Sequence, residues 1–362
     1  IKEYLKKCKI KKYDKILREK LFLNKKHYDE IKKNVNDEIS EAADKALHSS
    51  DPKSEEATKY IFDESGFKET LNYESSKPSG DKIVMVDAIN HALHEEMEKN
   101  PEMFIFGEDI EDGKGGVFTA TKGLSTRFTK KRVFNSPLAE ASIMGVAVGM
   151  SLTGMKPVVE IQFGDYIWPA FQQMKNEMAP MRYRSNNTWS APVVTRVAVG
   201  GYIHGGLCHS QNIEAFFSHI PGIFIAYPSN AADAKGLLKT ACRIKDPVLF
   251  LEHKGLYRQS YAIAPEPDDN YLLPFGKAKV VKEGTDVTVV SWGVSLWDSM
   301  LAAKKLEDEN YSVEIIDLRT IVPLDEETIY NSVKKTNKVI IIHEDTLFGG
   351  FGAEIAARIA DN

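Results

Sequence analysis

Glu140 is the first residue of this chain that could carry out acid or base chemistry. It follows Phe134-Asn-Ser-Pro137 and stands at the predicted start of a helix of small and apolar residues. Proline disfavours helix in the residue before it, so the helix begins after Pro137. A carboxylate among apolar neighbours is costly unless another group shares its charge or proton. The acidic residue could equally serve to stabilise the amino end of the helix, and both interpretations stay open.

Two further segments have side chains suited to a ligand. Residues 161–171 follow a predicted strand and combine Gln162 and Asp165 with aromatic residues such as Tyr166. Aromatic side chains in a loop after a strand can stack on a planar ligand, although core packing explains them too. Residues 200–211 hold His204 and His209 among four glycines, and either histidine could donate or accept a proton.

These segments match none of the common nucleotide or metal motifs. The glycine-rich loop fits neither a P-loop nor GxGxxG, and the chain contains no GxSxG or HExxH. Cys208 alone does not complete a metal site beside the two histidines, because no cluster of carboxylates or thiolates accompanies it. We therefore predict no metal ligands among these residues.

The elements that position the segments are strands alternating with helices. Helical stretches are predicted near 140–153, 166–181, 229–242, 295–308 and 325–335. Strands that are apolar on both faces and separated by helices predict βαβ units, parallel sheets and an α/β fold. The predicted strands are Met103–Phe106, Val158–Ile161, Val193–Val199, Gly222–Tyr227, Val248–Glu252, Val287–Trp292, Val313–Leu318 and Lys338–His343.

Composition shifts divide the chain into segments. A helix is predicted from Asn24, which can cap it, to Leu47, and residues 49–82 have the composition of a linker or extended arm. The Pro/Asp-rich stretch 264–270 separates a first α/β domain at 82–262 from a second that begins near 276. The second domain has only about three predicted strands before residue 362, so we expect it to be incomplete.

Bulk composition excludes several classes of protein. The chain has 47 basic and 52 acidic residues, 43% apolar residues and three cysteines without metal-site spacing. It has no apolar run of the ~20 residues that a membrane helix needs. Residues 1–26 hold eleven Lys or Arg against three Asp or Glu, which a solvated helical face explains better than a nucleic-acid arm. We predict a cytoplasmic protein that binds neither nucleic acid nor membrane.

Taken in order, the motifs resemble the β subunit of the thiamine-diphosphate-dependent 2-oxo acid dehydrogenases. The resemblance covers about residues 82–362. It implies a doubly wound, pyrimidine-binding sheet domain followed by a domain similar to the carboxyl-terminal domain of transketolase. The motifs are Phe106-Gly-Glu-Asp109, Gly115-Gly-Val-Phe118, Arg132-Val-Phe-Asn-Ser-Pro-Leu-Ala-Glu140, Glu160-Ile-Gln-Phe-Gly-Asp-Tyr166, Cys208-His-Ser-Gln211, Ile316-Asp-Leu-Arg-Thr320 and His343-Glu344.

Residues 1–65 resemble the carboxyl-terminal helix and tail of the α subunit of the same enzymes, ending in Tyr60-Ile-Phe-Asp63. With 66–81 as a linker, the resemblance implies a fused chain whose first part is absent from this sequence. That part would bind Mg²⁺ and the diphosphate. The resemblance also implies a homodimer of fused chains or an α2β2 tetramer, a possible K⁺ ion, and a lipoyl-bearing dihydrolipoyl acyltransferase as partner.

The resemblance also gives roles to residues. Glu140 matches the glutamate that hydrogen-bonds N1′ of the aminopyrimidine, and burial beside Leu138 and Ile143 would raise its pKa. Tyr166 matches the aromatic residue against the pyrimidine, and Gln162 and Leu138 line the same pocket. His209 matches the histidine near the reacting carbon. His204 also matches a family histidine, with a less defined role.

The implied reaction is oxidative decarboxylation of a 2-oxo acid with acyl transfer to a lipoyl group. Arg182-Tyr-Arg-Ser185 and Gly255-Leu-Tyr-Arg258 are more similar to the branched-chain enzymes than to pyruvate dehydrogenase. Pyruvate dehydrogenase and acetoin dehydrogenase of the same family are alternatives. A non-catalytic subunit for assembly or docking is a further alternative, which the presence of Glu140, Tyr166 and His209 together disfavours.

Overall fold

The computed structural model describes residues 9–20, 24–64, 73–74 and 76–362, which form two compact units divided between Thr58 and Lys59. The first unit holds helices α1 (Lys9–Glu19) and α2 (Lys25–Leu47). The side chain of Asn24 accepts a hydrogen bond from His27 N at 2.9 Å, which confirms the predicted cap. The apolar residues along α2 are exposed. Half of the predicted linker 66–81, namely residues 66–72 and 75, lies outside the described residues.

The second unit is built around a seven-stranded sheet. Its strands lie in the order β12-β6-β7-β5-β4-β2-β3, and every neighbouring pair is parallel except β12 with β6. The strands are β2 (Met103–Gly107), β3 (Val133–Asn135), β4 (Lys156–Ile161), β5 (Val194–Val199), β6 (Phe224–Ala226), β7 (Val248–His253) and β12 (Thr320–Val322).

Helices cover both faces of this sheet, which is why its central strands have apolar side chains on both sides. Every residue of β4, β5 and β7 is buried. The helices of this region are α3 (Met85–Lys99), α4 (Leu124–Phe128), α5 (Glu140–Leu152), α6 (Trp168–Gln173), a π-helical turn (Met174–Met178), α7 (Met181–Arg184), α8 (Glu214–Ser218) and α9 (Ala231–Arg243). A short antiparallel ribbon pairs β1 (Lys82–Ile83) with β8 (Ala264–Pro265).

A smaller sheet forms from the later part of the chain. Its order is β13-β10-β11-β9, with β9 antiparallel and the others parallel. Its strands are β9 (Lys279–Lys282), β10 (Val287–Ser291), β11 (Val313–Asp317) and β13 (Val339–Ile342), and its helices are α10 (Val294–Glu307), α11 (Glu326–Thr336) and α12 (Phe351–Asp361).

Strand β12 connects the region of the smaller sheet to the larger sheet. Strand β12 follows β11 in the chain, yet it pairs with β6 of the larger sheet, with Thr320 opposite Ala226. Beside it, Arg319 makes a bidentate ion pair with Asp233 of α9 at 2.9 and 3.0 Å. Both predicted α/β domains therefore belong to one compact unit.

Residues 59–64 also pack on this unit. The ring of Phe62 stacks on Phe224 of β6 with centroids 4.2 Å apart. The backbone N–H of Asp63 donates to Asp246 at 2.8 Å, and Asp246 also accepts from buried Arg182 at 2.8 Å. Phe62 and Asp63 of the Tyr60-Ile-Phe-Asp63 motif thus contact β6 and the residues just before β7.

The structure confirms the predicted α/β class and its parallel sheets. Each of the eight predicted strands contains an observed strand, and the five helical stretches after residue 139 are helical. The prediction missed helix α3 and several elements of five residues or fewer, among them α4, α8, β1, β8, β9 and β12. Among the residues described, no helix is both long and apolar enough to span a membrane.

Candidate active site

The candidate site lies where the carboxyl ends of four neighbouring strands meet. Strands β2, β4, β5 and β7 are adjacent and parallel, so the loops that follow them come together at one edge of the sheet. Those loops contain, in chain order, the segments beginning at 108, 162, 200 and 254. In open α/β sheets this edge is where ligands bind.

Tyr166 and His209 are brought into direct contact at this edge. The Tyr166 hydroxyl and His209 Nε2 are 2.7 Å apart and share a hydrogen bond. The ring of Phe163 meets His209 edge-on, with centroids 4.6 Å apart, and Tyr166 in the same way at 5.6 Å. Two of the three segments singled out from the sequence therefore form one cluster.

The loop that carries His209 is closed at its base. Gly200 N donates to Gln211 O at 3.0 Å, and Gln211 N donates to Asp165 Oδ2 at 3.3 Å. Gly205 has no room for a side chain, because a Cβ atom there would lie 2.5 Å from that of His209. His204, at the exposed rim of the loop, has a positive φ of 55°.

Glu140 is the first residue of α5, as its position after Pro137 predicted. Its side chain is half-buried. Of its expected apolar neighbours, Ile143 is buried, whereas Leu138 is 81% exposed rather than buried. Among the described residues no hydrogen bond or ion pair joins Glu140 to Tyr166 or His209.

The carboxyl group of Glu108 lies near that of Glu140, and sequence reasoning gave it no role. Burial raises the pKa of Glu108, and the carboxylates of Glu140 and Asp109 raise it further. Its Oε1 atom is buried and has no hydrogen-bond partner among the described residues. An unpaired buried oxygen is costly, so its presence beside a second acid indicates a place for a donor. The sequence Gly107-Glu-Asp109 at the end of β2 is the feature that could have pointed to Glu108.

Gln162 connects the loops after β2 and β4. Its Nε2 atom lies 3.5 Å from Asp109 Oδ2, and Lys114 Nζ donates to the same oxygen at 2.8 Å. Asp109 holds this position with a positive φ of 58°. The predicted site residue Gln162 is therefore oriented by an acidic residue of the neighbouring loop.

A buried ion cluster supports the site from within the sheet. Arg196 of β5 binds Glu160 of β4 at 2.8 Å and Glu252 of β7 at 2.7 and 2.9 Å. Glu160 also accepts a hydrogen bond from Val117 N at 2.8 Å. This contact fixes the glycine-rich turn before Phe118, whose ring lies against Phe163. The cluster thus links the centre of the sheet to the aromatic residues around His209.

No group of three or more His, Cys, Asp or Glu side chains in the described part of the chain could hold a metal ion. The arrangement instead offers an acid pair, a tyrosine–histidine hydrogen bond and aromatic faces. These groups can bind a planar nitrogen heterocycle and exchange protons with it.

The fold and site define a class of protein. Residues 81–260 match the pyrimidine binding domain of transketolase, and residues 276–362 match the transketolase C-terminal domain. A solved structure described as "Split gene transketolase, inactive beta4 tetramer" superposes with a TM-score of 0.62 and 24% identity, over 77% of this chain and 85% of that one. At that identity the likeness concerns the fold alone.

Proteins with similar sequences define the family within this class. The 2-oxoisovalerate dehydrogenase subunit beta of Bacillus subtilis is 48% identical over 76% of this chain and 84% of its own length. The pyruvate dehydrogenase E1 component subunit beta of Acholeplasma laidlawii is 45% identical over the same shares of the two chains. This chain belongs to the family of β subunits of the thiamine-diphosphate-dependent 2-oxo acid dehydrogenases.

Proposed function

We propose that this protein decarboxylates a branched-chain 2-oxo acid with thiamine diphosphate and transfers the acyl group to a lipoyl group. The observation that carries the proposal is the Tyr166–His209 hydrogen bond at the strand edge that also holds Glu140 and Glu108. A protein that served only in assembly would not need these four groups at one edge of the sheet.

The residues fit the pyrimidine half of thiamine diphosphate. Glu140 and Glu108 supply two nearby carboxyl groups for ring and amino nitrogens, and Glu108 Oε1 is a buried acceptor without a partner among the described residues. Phe163 and Tyr166 supply aromatic surface. When bound, the cofactor supplies a thiazolium carbon that adds to the substrate carbonyl and accepts the electrons released with CO₂.

The acid pair favours proton sharing. Two neighbouring carboxylates repel each other, so one of them keeps its proton to a higher pH. The raised pKa of Glu108 follows this rule. We assign to the carboxyl group of Glu140 the hydrogen bond that shares a proton with a ring nitrogen of the pyrimidine. Leu138 and Gln162 complete the proposed cofactor-binding set with Glu140 and Tyr166.

His209 is proposed to act on the substrate. If the Tyr166 hydroxyl donates, Nε2 of His209 is the acceptor and the imidazole proton lies on Nδ1. Nδ1–H can then donate to an oxygen of the substrate or to the acyl group during transfer. The hydrogen bond to Tyr166 also fixes the plane of the ring, which limits the directions in which it donates.

The branched-chain preference rests on the Arg182-Tyr-Arg-Ser185 and Gly255-Leu-Tyr-Arg258 motifs and on the 48% identity to the Bacillus 2-oxoisovalerate subunit. Pyruvate is the second candidate, because the Acholeplasma pyruvate dehydrogenase subunit is 45% identical.

The proposed function also involves an α-like part of the enzyme, metal ions and a partner protein. Mg²⁺ and the diphosphate would bind the α-like part, and a monovalent cation such as K⁺ would be a further ligand. We propose an α2β2 assembly or a dimer of fused chains, acting with a lipoyl-bearing dihydrolipoyl acyltransferase. The denatured mass of the polypeptide from its native source distinguishes the two, since a fused chain has about twice the 40.6 kDa of this sequence.

The test is an assay of the assembled enzyme with its α-like part, thiamine diphosphate and Mg²⁺. We expect CO₂ release and reductive acylation of a lipoyl domain, with a higher kcat/KM for 2-oxoisovalerate than for pyruvate. A preference for pyruvate would overturn the substrate assignment. Cofactor-independent assembly without any 2-oxo acid turnover would overturn the catalytic function.

A further inference from the structure

The carboxylate of Glu344, which follows β13 in the smaller sheet, binds the loop that carries His209. Its Oε1 atom accepts from Gly201 N at 3.1 Å, and its Oε2 atom accepts from Asn212 Nδ2 at 3.0 Å. Gly201 and Asn212 stand at the two ends of the loop. One side chain of the second domain therefore holds both ends of a loop from the first.

His253, at the end of β7, makes the third hydrogen bond to Glu344. Its Nε2 atom is 2.7 Å from Glu344 Oε2, and its Nδ1 atom accepts from Gly255 N at 3.1 Å. Because Nδ1 is an acceptor, the imidazole proton belongs on Nε2, where it is donated to Glu344. The His253 side chain is only 2% exposed, so water does not compete for this donor.

The orientation of Asn212 is fixed in the same way. The hydroxyl of Tyr227, a buried residue, donates to Asn212 Oδ1 at 2.9 Å. With its oxygen occupied by Tyr227, the amide of Asn212 presents its N–H group to Glu344. Both side-chain donors to this carboxylate are therefore oriented by a second hydrogen bond.

The backbone at Gly200 lies directly against the hydrogen bond between His253 and Glu344. Its φ is +81°, and a Cβ atom there would lie 2.1 Å from His253 Nε2 and 2.6 Å from Glu344 Oε2. A residue with a side chain would therefore collide with the hydrogen bond between His253 and Glu344. The carbonyl oxygen of Gly200 accepts from the ammonium group of Lys254, which adds a fixed point at the same end of the loop.

The ionised form of Glu344 is the form that can accept all three hydrogen bonds. Burial raises the pKa of Glu344, but the hydrogen bonds from His253, Asn212 and Gly201 outweigh burial and lower that pKa below its ordinary value. The side chain is 34% exposed, so solvent reaches part of it, yet all three donors need an acceptor that carries no proton. The carboxylate is ionised wherever the protein is folded near neutral pH.

We propose that Glu344 is a positioning residue: through Gly201, Asn212 and His253 it holds the loop 200–211 in the conformation that places His209 against Tyr166. This proposal rests on the function proposed above for His209. It assigns to the second domain a direct part in shaping the active site, in addition to its packing.

The test compares Glu344→Gln with the wild-type holoenzyme. A glutamine has one acceptor oxygen and one amide donor, so it cannot accept from Gly201 N on one side and from Asn212 and His253 on the other. We expect backbone amide exchange in residues 200–211 to quicken at least about tenfold, since hydrogen bonds to a charged group are lost. We expect kcat for lipoyl acylation to fall roughly tenfold, with the KM for the 2-oxo acid nearly unchanged.

Asp345→Asn is the matched control. Asp345 is the next residue and a carboxylate, but its hydrogen bond is to Thr346 N at 2.7 Å rather than to the loop. We expect its amide exchange in residues 200–211 to equal that of the wild type. If amide exchange in residues 200–211 became faster by the same factor in both variants, the cause would be a general charge effect, and the proposal would be overturned.

His253 supplies a second pair of variants if Glu344→Gln does not fold. His253→Ala removes one donor to the carboxylate, whereas His253→Gln keeps an amide N–H near the position of Nε2. We expect faster loop exchange in His253→Ala and recovery in His253→Gln. Unchanged loop exchange in Glu344→Gln, or in His253→Ala, would overturn the positioning role. Absence of 2-oxo acid turnover in the wild type would instead count against the proposed function, because amide exchange is measured without turnover.

Discussion

The hydroxyl of Tyr166 lies 2.7 Å from Nε2 of His209, although the two residues are 43 positions apart in the chain. Tyr166 belongs to the turn after β4 and His209 to the loop after β5, and these strands are neighbours in the sheet. The contact fixes the position and the plane of the imidazole ring. It is the arrangement on which a role for His209 in acyl transfer depends.

Tyr166→Phe removes this hydrogen bond and leaves the ring in place. We expect the rate of lipoyl acylation to fall about tenfold, because His209 loses the hydrogen bond that orients its ring. Cofactor affinity should change little, since the aromatic surface is kept. Steady-state kinetics and a cofactor titration separate the two effects. Tyr311→Phe, an exposed tyrosine of the second domain, is the control, and an equal effect there would contradict the assignment.

Glu140→Gln tests the two interpretations of this acid. As a proton-sharing group it should be essential, and we expect kcat to fall by roughly 10²–10⁴-fold or more while the fold is kept. Circular dichroism and thermal unfolding report on the fold.

As a helix-capping acid alone, Glu140 would affect only stability, by about 0.3–1 kcal/mol. Glu354→Gln provides the comparison, since Glu354 is an exposed acid in the first turn of α12. An active Glu140→Gln enzyme would contradict the catalytic role and leave the capping interpretation.

Glu214 predicts a pH dependence of stability. Burial raises the pKa of Glu214 to about 7, with Asp345 adding to the effect, against an ordinary value of 4.5. The folded protein therefore holds a proton that the unfolded chain loses between these values, so folding stability falls as pH rises from about 4.5 to about 7. Above that range the loss is complete and constant.

Glu214→Gln should remove this dependence, because an amide does not ionise and its oxygen can still accept from Trp292 Nε1. We expect the variant and wild type to unfold alike in urea near pH 4.5. Near pH 8 the variant should be more stable by up to about 3 kcal/mol. Glu327→Gln, on the exposed surface of α11, should follow the wild type at both pH values. A variant with the wild-type pH slope would contradict the raised pKa.

Arg196→Met tests the buried ion cluster. It leaves Glu160 and Glu252 buried without their cation, so we expect a loss of about 3–5 kcal/mol in the free energy of unfolding. Arg184→Met, which breaks an exposed pair with Glu177, should cost less than about 1 kcal/mol. Urea unfolding measures both, and similar losses in the two variants would show that burial of the cluster contributes little.

The sequence predicted the central strands well, because strands such as β5 and β7 are short, mostly apolar and buried on both faces. It did not predict β12, since three residues carry no periodicity and their pairing with β6 depends on the tertiary fold. Helix α3 was missed even though eight of its residues are buried.

Within the candidate site, the positions of the motifs singled out Glu140, Tyr166 and His209, but they did not predict contacts between segments that are distant in the sequence. The closeness of Glu108 to Glu140 and the three hydrogen bonds of Glu344 depend on which strands are neighbours. Leu138, which was expected among buried apolar neighbours of Glu140, is exposed in this chain. Two residues close together in the sequence can therefore differ in exposure at the start of a helix.

The pairing of β12 with β6 has a consequence for biogenesis. Until Thr320–Val322 leave the ribosome, the outer edge of β6 has unpaired backbone N–H and C=O groups. Open strand edges recruit other chains, so the nascent protein passes through a stage that is vulnerable to aggregation. A fragment that ends before Thr320 lacks β12, so the edge of β6 stays unpaired in it. Recombinant production of the first α/β domain therefore requires that this short strand be retained or that the edge of β6 be blocked by charged substitutions.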